Sequence, residues 1–78
     1  MRQKTLKAVL TFERTHDAIA MEAYCKDKGL PGRMIPIPTA ISAGCGLSWM
    51  VIPEEQEQVK TAVEAAGLDC GKWYELML

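Results

Sequence analysis

Apolar and polar residues change rhythm repeatedly along the chain, and each rhythm predicts an element. Leu6, Ala8, Leu10 and Phe12 alternate with Lys7, Val9 and Thr11, the period of a strand with one face more apolar than the other. From His16 to about Lys28 the period lengthens to that of a helix, with Ala18, Met21 and Cys25 in phase and Ile19 nearby. Thr15 stands before this segment as a candidate N-cap, and Asp17 in the first turn suits the helix dipole. Gly29 stops the helix. After Leu30-Pro31-Gly32, a second strand is expected from Arg33 to Ile37. Pro36 has no N–H to donate, which puts this strand at a sheet edge. A loop from Pro38 to Gly46 follows, and Leu47, Trp49 and Val51 then alternate in a third strand. Pro53 opens a second helix, and Glu54, Glu55 and Glu57 crowd its positive end. Val59, Ala62, Val63 and Ala66 form its apolar stripe, and Gly67 ends it. Trp73, Tyr74, Leu76, Met77 and Leu78 make a final strand.

The order β-α-β-β-α-β predicts an α+β, ferredoxin-like fold: a four-stranded antiparallel sheet with two helices on one face. In this topology the first and second strands run the same way and leave the sheet at one end. The start of the first helix, with His16, and the loop holding Cys45 are therefore expected as neighbours. The segment Gly67-Leu68-Asp69-Cys70 arrives at the same end. A length of 78 residues predicts a single domain over residues 1–78. Such a chain buries about 60% of its unfolded surface and leaves little core to hollow out. Activity is therefore expected on a loop, on an exposed face or with a partner. The net charge of −1, with both signs scattered, argues against nucleic-acid binding. No apolar run approaches a membrane span, and Met1-Arg2-Gln3-Lys4 leads into an alternating segment instead of an export signal.

The stretch Pro36-Ile37-Pro38-Thr39-Ala40-Ile41-Ser42-Ala43-Gly44-Cys45-Gly46 carries the candidate chemistry. A thiol between Gly44 and Gly46 is sterically open, and the glycines expose N–H groups to whatever the sulfur holds. The competing reading is a turn with Cys45 tucked beneath it. The three cysteines, Cys25, Cys45 and Cys70, are odd in number and widely spaced, which predicts free thiols in a reducing compartment such as the cytoplasm. There is no Cys-x-x-Cys pair, and His16 is the sole histidine, so a closed metal site would need scattered residues. A helix N-terminus lowers the pKa of a nearby thiol, and His16 in the first turn adds a proton acceptor or a positive charge. By geometry alone, His16 reads first as an exposed first-turn residue bonded to solvent or backbone. Cys70 either resolves an oxidised Cys45 or packs at the start of the last strand. Cys25 falls on an apolar stripe and reads as core. Trp49, Trp73 and Tyr74 either pack or leave an aromatic sheet face for a partner. Arg33 reads as an anion contact or as a solvated charge.

Taken together these residues resemble the small bacterial family of selenium/sulfur carrier protein-like domains. The resemblance covers nearly the whole chain. It rests on Phe12 with Thr15-His16-Asp17-Ala18, on Glu22, and on Gly29-Leu30-Pro31-Gly32-Arg33. Above all it rests on Ile35-Pro36-Ile37-Pro38 followed by Ile41-Ser42-Ala43-Gly44-Cys45-Gly46-Leu47-Ser48-Trp49. The family cysteine matches Cys45 and the family histidine matches His16. The family also carries an arginine soon after the second proline, where this chain has Thr39-Ala40.

The resemblance implies a cytosolic carrier more than an enzyme. Cys45 would accept sulfane sulfur or selenium, as a persulfide or selenide, from a donor such as a pyridoxal-phosphate desulfurase. It would then hand the atom to an acceptor protein. N–H groups at Gly44, Gly46 and the helix start at Thr15 would stabilise the terminal anion, while His16 tunes protonation. No resident cofactor or metal is expected. Two other classes stay open: a non-catalytic ferredoxin-like module for dimerisation or ligand binding, and a transition-metal chaperone using Cys45, His16 and Cys70 as soft ligands.

Overall fold

The structure, a computed structural model, describes residues 4–41 and 45–78. Its elements are β1 (Leu6–Thr11), α1 (Thr15–Lys28), β2 (Arg33–Pro36), β3 (Leu47–Val51), α2 (Pro53–Ala66) and β4 (Trp73–Met77). The strands form one sheet in the order β2-β3-β1-β4, with every neighbouring pair antiparallel. This is the α+β, ferredoxin-like arrangement expected from the element order. β2 is an edge strand, as Pro36 requires. It ends at Pro36, one residue short of the expected Ile37.

Strand register sorts the side chains between two faces. Leu10 lies opposite Trp49 and Trp73, and Ala8 lies opposite Val51 and Glu75. Most of these residues join Ala18, Met21 and Cys25 of α1 and Val59 and Val63 of α2 in the core. Cys25 is therefore a core residue, as its helical phase predicts. Full burial of side chains such as Leu10, Phe12 and Met21 is worth about 1.5–3 kcal/mol each. The other face carries the alternate row, Val9 opposite Met50 and Tyr74, with Arg33 opposite Met50. No helix covers this row, yet Val9 is fully buried in the middle of it.

The start of α1 differs from the expectation. Arg14, not Thr15, is the N-cap: its backbone is extended, and its carbonyl accepts from the Asp17 N–H (3.1 Å) and the Ala18 N–H (3.3 Å). Thr15 is the first helical residue, and no side chain caps the helix. The Arg14 guanidinium holds the first turn instead, donating from Nε to Asp17 Oδ2 at 3.1 Å. Phe12 lies just beyond β1, its side chain buried in the core and its carbonyl accepting from the Cys45 N–H in the facing loop. Among the described residues, no helix is long and apolar enough to cross a membrane.

Candidate functional site

Three chain segments meet at the end of the sheet where β1 stops. The Cys45 N–H donates to the Phe12 carbonyl at 2.9 Å, which ties the loop after β2 to the segment leading into α1. The Gly71 N–H donates to the Thr11 carbonyl at 2.7 Å, which ties the segment after α2 to the same place. Arg14 links two of the segments: Nε bonds Asp17, and one terminal nitrogen lies 3.5 Å from Asp69 Oδ2. Asp69 and much of Arg14 face solvent, so that second contact is worth less than about 1 kcal/mol.

Cys45 is half-buried and packs against the core, and its thiol faces the Leu47 carbonyl at 4.0 Å. Gly46 beside it has φ +96°, in the left-handed region that favours glycine. Among the described residues outside its chain neighbours, a side-chain carbon at Gly46 would meet nothing within 4 Å. Gly44 lies outside the described residues, as do Ser42 and Ala43. Thr15 is exposed at the head of α1, where the first N–H groups have no acceptor within the helix. His16 is exposed, and its Nε2 lies 3.3 Å from Asp17 Oδ1.

The fold thus brings His16, Cys45 and Cys70 to one end of the sheet. Among the described residues no hydrogen bond joins His16 to Cys45: the imidazole faces Asp17 and the thiol faces Leu47. Cys70 is also half-buried and packs on the core. Burial pushes its thiol up to about 11, helped by the negative charges of Asp17 and Asp69 and by Cys25. Burial also pushes the Cys25 thiol up. Both are therefore protonated and weakly nucleophilic near neutral pH. All three cysteines are free. Among the described residues, no group of three or more His, Cys, Asp or Glu is placed to hold a metal ion.

Sequence reasoning missed Arg14 and Asp69 and the burial of Asp17. The Arg14–Asp17 spacing of three residues was a readable signal, because residues at i and i+3 face each other on a helix. Asp69 offered none, since it meets Arg14 across 55 residues of chain.

A ferredoxin-like sheet with a glycine-flanked cysteine tied to the segment between its first strand and first helix defines a small α+β protein with a loop-borne thiol. Residues 7–75 match the family described as "Putative Se/S carrier protein-like", and the chain belongs to that family. The family name denotes a carrier of selenium or sulfur, and a carrier exchanges its cargo with other proteins. No curated protein and no solved structure matches the chain.

Proposed function

We propose that the protein carries sulfane sulfur or selenium on Cys45 between a donor desulfurase and an acceptor protein in the cytoplasm. The observation that supports this reading is the hydrogen bond from the Cys45 N–H to the Phe12 carbonyl, which ties the loop thiol to the segment that leads into α1. The high proton affinities of Cys25 and Cys70 turn attention away from the other two thiols.

In the loading step Cys45 first loses its proton, and His16, at the same end of the sheet, takes it once the imidazole turns away from Asp17. The thiolate attacks the outer sulfur of a persulfide on the donor. A bond forms between that sulfur and Cys45 Sγ, the donor's sulfur–sulfur bond breaks, and the donor leaves as a thiolate. The exchange involves no net oxidation. Main-chain N–H groups at Gly46 and Thr15 stabilise the terminal anion. Delivery is the same exchange, with an acceptor thiolate as nucleophile. Selenium transfer follows the same path with selenium as the outer atom.

The test is intact-mass spectrometry after incubation with a cysteine desulfurase and cysteine. The wild type is expected to gain one sulfur atom that a thiol reductant removes, Cys70→Ser to behave alike, and Cys45→Ser to gain none. Uptake at a single site in Cys45→Ser would overturn the reading.

A further inference from the structure

A groove of about 560 Å³ lies on the side of the sheet that the helices leave bare, and it is lined by Lys7, Arg33, Ile35, Pro38, Met50 and Leu78 among others. Its position follows from register. Arg33 pairs with Met50, and Met50 pairs with Val9, in the row facing away from α1 and α2. Its size falls within the roughly 300–1,000 Å³ of small-molecule sites.

The floor is apolar, and among the described residues the charged side chains in the lining, Lys7 and Arg33, are both cationic. Lys7 donates to the Thr5 hydroxyl, which compensates none of its charge. Among the described residues, neither Lys7 nor Arg33 forms an ion pair with a carboxylate. The chain as a whole is slightly acidic, at −1, so two unpaired cations over an apolar floor do not reflect a generally basic surface. We propose that this groove binds a small amphipathic anion, an alkyl or aryl carboxylate, with its apolar body on Ile35 and Met50 and its carboxylate between Lys7 and Arg33.

A second copy of the chain fits less well. A two-fold contact through this face would gather the cations of both copies in one interface, with no acidic side chain in the described lining to pair them. A nucleic acid fits less well too, because the groove offers only two cations. The proposal uses nothing argued about Cys45 and stands or falls separately from the carrier reading.

The test compares 4-phenylbutyrate, 4-phenylbutanol and 4-phenylbutylamine, which share one apolar body and differ in head-group charge. Binding is followed by amide chemical shifts of the full chain. The carboxylate is expected to saturate with shifts centred on Lys7, Arg33, Ile35 and Met50. It should bind about tenfold more tightly than the alcohol, and the amine more weakly still. Lys7→Gln/Arg33→Gln, checked for native amide dispersion, is expected to bind carboxylate and alcohol alike and to leave the alcohol's affinity unchanged. Equal affinity for all three compounds overturns the proposal, as do shifts mapping elsewhere or no saturable binding at millimolar concentrations. Concentration-dependent self-association that covers Lys7 and Arg33 overturns it in favour of a second copy.

Discussion

Two Cys-Gly dipeptides reach the same end of the sheet, Cys45-Gly46 and Cys70-Gly71, and the glycine has a different purpose in each. Gly46 is needed for its backbone angle, φ +96°, and among the described residues outside its chain neighbours a side-chain carbon there would meet nothing within 4 Å. Gly71 is needed for proximity: a side-chain carbon there would lie 2.9 Å from the Thr11 carbonyl oxygen. The attachments differ as well. Cys45 is tied to the end of β1 by one main-chain bond, to Phe12. The Cys70 segment is clamped on Thr11, through Gly71 N–H to its carbonyl and Lys72 N–H to its hydroxyl at 3.0 Å. Burial, and after it the charges of Asp17 and Asp69, raises the Cys70 thiol. The same two letters thus give one thiol in a loop held by a single main-chain bond to Phe12 and one in a segment clamped on Thr11.

The sharpest way to break this comparison is to label the thiols. A thiol pushed from 9.0 to about 11 carries about a hundredfold less thiolate at neutral pH. Iodoacetamide with peptide mapping is expected to modify Cys45 first and Cys70 about a hundredfold more slowly than an unfolded cysteine. Cys70 reacting first would reverse the assignment of roles.

The glycines separate by stability. Gly71→Ala drives a methyl group into the Thr11 backbone and is expected to cost about 2–3 kcal/mol in urea unfolding. Gly46→Ala meets only the backbone penalty and should cost about 1 kcal/mol. Equal costs would mean that the clamp on Thr11 yields as easily as the open loop.

The smallest expected effect is alkaline. The Cys70 thiol keeps its proton to higher pH in the folded chain than in the unfolded one, so between about pH 9 and 11 the folded state binds more protons. The stability this contributes is whole below pH 9 and is lost as pH rises through that window. Cys70→Ser is expected to show a shallower alkaline decline in unfolding free energy, and an unchanged decline would locate the effect elsewhere.

Much of the fold was legible because its signals are local. Alternation at Leu6–Phe12, helical phase at Ala18, Met21 and Cys25, and the proline at position 36 each act within a few residues. Together they dictated the element order, and through it which loops share an end. The start of α1 was misread by one residue because a threonine before a helix looks like a cap. The Arg14 backbone took that place while its side chain bonded Asp17. Of the candidate site, Cys45 and His16 stood out by composition, but the sequence placed them only at one end and could not say what each faces.

The sequence by itself determined the element order, the edge position of β2 and the gathering of His16, Cys45 and Cys70 at one end. Periodicity and turn chemistry are short-range, and few topologies satisfy that order. Only the tertiary structure decided that Cys70 is half-buried within reach of the charges of Asp17 and Asp69, that Gly71 presses on Thr11, and that Lys7 and Arg33 share a bare apolar face. Those relations join residues far apart in the chain through strand register and packing, which no local pattern encodes.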